Sequence, residues 1–206
     1  MGESHYNRLA LVPHARPFNL FLLGERMQTL RSRIVYQNRW MTVREDDVRR
    51  ADGSDGIYGV VEKPDAALII PVEHGRVHMV QQFRYTVGAR FWEFPQGAWE
   101  KPGEDYTIED LARGELREET GLVAAELQFL ARTHIAYGFL SQPMHVFVAT
   151  RLTQLEAQPE HEEQGIIRGS FTWAEFYEMV EDGRVTDSLT LAALSLLRLK
   201  RPDLAG

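Results

Sequence analysis

The run Gly-Glu-Leu-Arg-Glu-Glu-Thr-Gly-Leu, residues 114–122, constrains this chain more than any other stretch. Thr107 followed by Asp110 forms an N-cap pattern, and Gly121 is a natural C-terminal stop, so the spacing predicts a helix between them. Within it Glu115, Glu118 and Glu119 stand at i, i+3 and i+4, which puts three carboxylates on one face. Leu111 lies one turn before Glu115 and is expected to hold the helix against a core. Like charges so placed repel one another and call for solvent or for a cation. Hard divalent ions, Mg²⁺ above all, take oxygen ligands of this kind. Taken alone, a Glu-rich helix face is ordinarily just a solvated face.

The segment in front of the helix decides between these readings. Residues 91–122 run from an apolar stretch into Pro95-Gln96-Gly97, then through a loop with Pro102-Gly103-Glu104, then into the acidic helix. This loop–helix–loop resembles the Nudix hydrolase box, with Gly97, Glu104, Glu115, Leu116, Glu118, Glu119, Gly121 and Leu122 matching by type. Two departures stand out. The loop is longer than the family's, with six residues between Gly97 and Glu104 and nine between Glu104 and position 114. Gly114 also occupies the place of the box arginine, which in the family orients a neighbouring glutamate by a charge-assisted hydrogen bond. Arg113 and Arg117 are the neighbours available to substitute. A glycine within a helix costs roughly 1 kcal/mol relative to alanine.

The resemblance implies an α/β (α+β) Nudix fold, a mixed β-sheet sandwiched between helices, with a small N-terminal antiparallel β unit. It implies Glu115 and Glu119 as metal ligands, Gln96 contributing its backbone carbonyl, and Glu118 as a shared or water-mediated ligand and base. Mg²⁺, with Mn²⁺ as a substitute, is the expected cofactor. Such ions neutralise phosphate oxygens and lower the pKa of an attacking water.

Composition narrows the partners. A chain of 206 residues is long enough for one main domain with a small appendage. A net charge of −7 argues against nucleic acid and against an anionic membrane surface. The apolar run Phe18–Leu23 is too short for a signal core or a membrane span. It is instead expected to pack on the body or on a second subunit. With no cysteine, disulfides and thiolate metal sites are excluded. A cytoplasmic protein is the expectation.

Along the chain, residues 31–50 read as two strands, Ala51–Ser54 as a turn, and Gly56–Glu62 as a third strand. The expected division is 1–56, a β unit that builds a homodimer in the ADP-ribose pyrophosphatase branch of the family, and 57–206, the Nudix domain. Residues 60–97 resemble that same branch. There the arginine of the Gln-Phe/Tyr-Arg segment reaches a substrate phosphate, a role that falls here on Arg84, with a surface salt bridge as its alternative. Glu93 is expected either to orient the loop or to contact metal. Where the branch carries Pro-Gly-Phe this chain has Tyr137-Gly138-Phe139, and where it carries Arg-Glu it has Tyr58-Gly59. Tyr58 and Tyr137 are candidates for stacking on a base or sugar, with Phe139 beside them. His134 and His145, on strands, are expected to pack rather than to catalyse.

The acidic stretch 155–165 lies where the branch supplies a general base or a further metal ligand. Glu162 and Glu163 are the candidates, with Glu160 third. Thr172 with Glu175 caps one helix, and Asp187 caps a last one whose leucines and alanines recur at helical spacing. The expected activity is hydrolysis of a nucleoside diphosphate linked to a moiety X, giving a nucleoside monophosphate and X-phosphate, with ADP-ribose or another nucleotide sugar as substrate. A different diphosphate, such as GDP-mannose or a dinucleotide, is the sister reading. A catalytically silent nucleotide-sugar binder is the alternative of another class.

Overall fold

The computed structural model describes residues 27–99, 106–155 and 165–206. The candidates Glu104, Glu160, Glu162 and Glu163, and the run Phe18–Leu23, lie outside the described residues. Contacts divide the chain into two compact units. One takes the described residues up to Arg33 together with Glu45–Tyr58; the other takes Ile34–Arg44 and Gly59–Gly206.

Strands β1 (Gln28–Gln37), β2 (Thr42–Arg49) and β3 (Asp55–Glu62) form a three-stranded sheet in that order. The turn between β2 and β3 places Gly53 at φ +84°, a left-handed conformation that glycine takes without a Cβ clash. Asp52 accepts the Ser54 N–H at 2.9 Å and closes this turn. The sheet leaves large apolar side chains in solvent, among them Ile34 at 62% and Ile57 at 65% exposure.

The second sheet holds β4 (Ala66–Glu73), β5 (Arg76–Arg84), β6 (Ala89–Glu93), β7 (Gln96–Ala98), β8 (Leu122–His134), β9 (Pro143–Gln154) and β10 (Ile167–Thr172). Its main path runs β10-β5-β4-β9-β8, with β6 added to β5 and β7 to β4. Strands β4 and β9 pair in parallel, from Ala66 opposite Met144 to Pro71 opposite Ala149, whereas β10 with β5, β4 with β5, β4 with β7, β5 with β6 and β8 with β9 pair antiparallel. A mixed sheet results.

Strand β4 explains the layering. Its run Ala-Ala-Leu-Ile-Ile-Pro-Val is buried throughout, as a strand covered on both faces requires. Alternate side chains go to opposite faces. Ala66, Leu68, Ile70 and Val72 join one core with Phe176 and Met179 of α2 (Trp173–Glu181) and Ala193 and Leu197 of α3 (Ser188–Lys200). Ala67 and Ile69 join the other with Leu111, Ala112 and Leu116 of α1 (Ile108–Thr120). The sheet is therefore sandwiched between α1 and the α2–α3 pair.

Helix α1 has the ends expected of it. Thr107 and Asp110 form a reciprocal capping box, and Gly121 closes the helix at φ +77°. Strand β8 starts directly at Leu122, earlier than its apolar pattern suggests. Of the two histidines expected to pack, His145 does so, with its ring nitrogen 2.8 Å from Asp65 and 13% side-chain exposure. His134 instead ends β8 in solvent, because the last residues of that strand turn alternately outward.

Candidate active site

Glu119 stands at the centre of the site. Its side chain is 1% exposed although it carries a carboxylate, a placement that costs several kcal/mol unless the charge is satisfied. The backbone N–H of Gln96 donates to its Oε2 at 3.0 Å. Gln96 is itself fixed, because β7 pairs with β4 and the preceding Pro95 carbonyl accepts the Ile69 N–H at 2.9 Å. The loop after β6 and the acidic helix are thus tied through one carboxylate.

Glu115, one turn earlier, presses against Gly97. A Cβ added at Gly97 would overlap the Glu115 carboxylate itself. Glycine at 97 is required by this close approach of side chain to backbone. Glu118 is half-buried on the neighbouring edge of α1. A Cβ at Gly114 would meet Glu118 Oε1 at 3.7 Å and the Tyr106 hydroxyl at 3.5 Å, ordinary contact distances. Burial, with the charges of Glu118, Asp110 and Glu115, pushes the Tyr106 hydroxyl above the usual tyrosine range. Arg113 does not take the place of the missing arginine. It donates to the Ala124 carbonyl and to Glu109, both at 2.9 Å, on another side of the helix. Arg117 is exposed on that side.

A second buried carboxylate lies close by. Glu93, 3% exposed, receives the Arg84 guanidinium through Nε at 3.1 Å and again through Nη2, a two-pronged ion pair. Gln82 Nε2 donates to Glu93 Oε1 at 2.8 Å and lies 3.5 Å from Glu119 Oε1, so one amide bridges the two carboxylates. Burial pushes the Glu93 carboxyl above the ordinary range, against the pull of Arg84 and Gln82 and with a further push from Asp187.

Arg84, Glu93, Gln96 and Gly97 line a cleft of about 610 Å³. Thr186–Leu189 at the start of α3 and Ile135, Gln142 and Met144 also line it. Tyr137 and Phe139 stand on the turn above, 86% and 57% exposed, outside this lining. That turn is fixed by the Val61 N–H donating to the Phe139 carbonyl at 2.7 Å. Tyr58 lies on β3 in the other compact unit, 37% exposed.

Sequence reasoning missed Gln82 and Asp187. Gln82 sits two residues before Arg84 on a strand, hence on the same face, and that spacing was the available signal. Asp187 was read only as a helix cap.

The oxygen-only donors here suit a hard divalent ion. Among the described residues no three His, Asp or Glu side chains converge as a closed metal cage. Two carboxylates can hold a hard divalent ion together with waters and substrate phosphates. The buried Glu119 oxygens, the Glu115 carboxylate on Gly97 and the adjoining cleft therefore fit such an ion.

A mixed sheet between α1 and α2–α3, with an acidic helix tied to the loop after β6, is an arrangement that can hold a divalent ion against a diphosphate. Comparisons with known proteins agree. The NUDIX domain profile matches residues 62–192, and that of the nucleoside diphosphate sugar hydrolase N-terminal domain matches residues 27–61. The chain is 33% identical over 170 residues to an ADP-ribose pyrophosphatase of Mycobacterium tuberculosis (strain ATCC 25618 / H37Rv), covering 81% of each chain. It is 30% identical over 176 residues to an ADP-ribose pyrophosphatase of Bacillus subtilis (strain 168), covering 84% of this chain and 93% of that one. A crystal structure of an ADP compounds hydrolase shares the fold, with a TM-score of 0.75 at 22% identity, covering 85% of this chain and 94% of the other. The chain belongs to the Nudix hydrolase family.

Proposed function

We propose that this protein is a Mg²⁺-dependent pyrophosphohydrolase of nucleoside diphosphate sugars, with ADP-ribose the leading substrate. It would yield a nucleoside monophosphate and a sugar phosphate. The observation that carries the reading is the Gln96–Glu119 bond beside the cleft, since it couples the acidic helix to the wall that a diphosphate would meet. ADP-ribose is favoured by the two relatives that bear that activity in their names.

Bound Mg²⁺, or Mn²⁺ in its place, would neutralise the diphosphate oxygens and make water a stronger nucleophile. Glu115 and Glu119 are the proposed ligands, with the Gln96 carbonyl as a third. Arg84 commits Nε and Nη2 to Glu93 and keeps the rest of its guanidinium, on a side chain 40% exposed, for a substrate phosphate. The water oxygen attacks one phosphorus, the bridging P–O bond breaks, and the proton passes to a carboxylate. Glu118, Glu162 and Glu163 are the proposed acceptors. Tyr58, Tyr137 and Phe139 are assigned to base or sugar contacts on the strength of the resemblance.

The N-terminal β unit, residues 1–56, is proposed to dimerise the 57–206 domain through its exposed apolar side chains. Among the described residues no helix is long and apolar enough to cross a membrane, and a cytoplasmic location accords with the cysteine-free chain.

The test is a Mg²⁺-dependent screen of ADP-ribose, other ADP-sugars, GDP-mannose, UDP-glucose, dinucleoside polyphosphates and nucleoside triphosphates, with products separated by chromatography. Cleavage of ADP-ribose to AMP is the expected result. Tight binding of a nucleotide sugar with no turnover would contradict it and favour a binding module.

A further inference from the structure

The cleft is lined by two chemically different groups of residues. One is Arg84, Gln96 and Gly97, beside the carboxylates proposed to hold the metal. The other is the start of α3, where Thr186, Asp187 and Ser188 contribute to the lining. A helix N-terminus ordinarily attracts anions, but this one is already occupied by its own residue. Asp187 Oδ2 accepts the Thr190 N–H and the Thr190 hydroxyl, both at 2.8 Å. Oδ1 takes neither bond. The cap is anchored to the active site, because Thr190 is fully buried and its Oγ1 accepts the Phe94 N–H at 3.1 Å, one residue from Glu93. Asp187 is therefore a half-buried acceptor held in the lining of the same cleft that Arg84 and Gln96 line. Its charge is close enough to Glu93 to push that carboxyl up.

Such a carboxylate repels phosphate and accepts from hydroxyls. Two adjacent alcohols, those of Thr186 and Ser188, flank the carboxylate and can donate or accept in turn. We propose, resting on the hydrolase reading above, that Asp187 is the specificity residue for the moiety X. It takes a hydroxyl of a neutral sugar and turns away an X that is itself a phosphate. The titratable groups facing the cleft besides Asp187 are Lys63, Arg84 and Glu93. Arg84 and Glu93 are paired with each other, which leaves Asp187, beside the Thr186 and Ser188 hydroxyls, and Lys63 as the other charges of the lining.

The experiment compares wild type with Asp187→Asn and Asp187→Ser. Both replacements keep an N-cap acceptor for Thr190 and so preserve the fold. Three ligands share one base and differ only in X: ADP-ribose, the methyl ester of ADP, whose X has no hydroxyl, and ATP. Affinities are read by calorimetry with Ca²⁺ in place of Mg²⁺, and kcat/KM is read with Mg²⁺. Asp187→Ser should lower the preference for ADP-ribose over the methyl ester roughly tenfold, the size expected for one hydrogen bond to a charged group. Asp187→Asn should lower the preference for ADP-ribose over ATP to a similar degree. Equal loss on all three ligands, or no change in either ratio, would overturn the assignment. So would a change that follows the base when the GDP-linked counterparts are compared. A wild type that binds ADP-ribose yet hydrolyses none of the three would remove the hydrolase reading. The calorimetric ratios would still decide the role of Asp187.

Discussion

The Gln96 N–H and the Glu119 carboxylate meet at 3.0 Å across 23 residues of chain. A buried carboxylate is costly unless it is hydrogen-bonded, so each partner holds the other: the loop fixes the glutamate rotamer, and the glutamate fixes the loop. Gln82 extends the link to Glu93 and thence to Arg84. The result is a linked row of side chains from Glu119 to Arg84, of which Arg84 and Glu93, with Gln96, line the cleft.

The two glycines that flank this row should respond oppositely to alanine. Gly97→Ala drives a Cβ into the Glu115 carboxylate and displaces it. Displacement of a reacting group by about 1 Å costs up to roughly hundredfold in rate, so a loss of at least tenfold, with a raised Mg²⁺ requirement, is expected. Gly114→Ala meets only ordinary contacts at 3.5 and 3.7 Å. It should gain about 1 kcal/mol from helix propensity and raise Tm by about 2–4 °C. Steady-state kinetics and thermal melts read both.

Glu93 makes stability depend on pH in a stated direction. Burial holds its folded pKa above the ordinary 4.5, so the folded chain binds this proton more tightly than the unfolded chain does. The stabilising contribution is complete below the unfolded value and is lost as pH rises through the folded one. Glu93→Gln removes that dependence. The variant's melting temperature should gain on wild type as pH rises from acid to neutral. A variant whose melting temperature falls relative to wild type over that range would contradict this placement.

Much of this was legible in the chain. The capping box at Thr107 and Asp110, the stop at Gly121, the buried run of β4 and the cap at Asp187 are local signals, each read from a few adjacent residues. The acidic box was legible as a pattern, but not its wiring. Gln82, Glu93 and Glu119 come from three elements brought together by strand pairing, and no local period reports which amide will bridge which carboxylates. The same holds for Asp187, whose capping role is local while its place in the cleft depends on Thr190 reaching Phe94. Arg84 was read with two alternatives, phosphate contact and salt bridge. The ion pair is present, to the buried Glu93 rather than to a surface group.

The three-stranded sheet gives the dimer prediction. Ile34 and Ile57 are 62% and 65% exposed, and covering such side chains is worth roughly 25 cal/mol per Å² of apolar area. Sedimentation should show a dimer for the whole chain and a shift toward monomer for Ile34→Asp with Ile57→Asp. A wild-type monomer would end this proposal.

Glu119→Gln tests the central claim most directly. Glutamine keeps the shape and an acceptor for the Gln96 N–H and gives up only the long contact to Gln82, so the melting temperature should fall little, while the charge that would bind the ion is gone. Mg²⁺-dependent hydrolysis of ADP-ribose, measured on wild type and variant together, should fall on the order of hundredfold or more. A well-folded Glu119→Gln protein that turns over substrate at the wild-type rate would contradict the account.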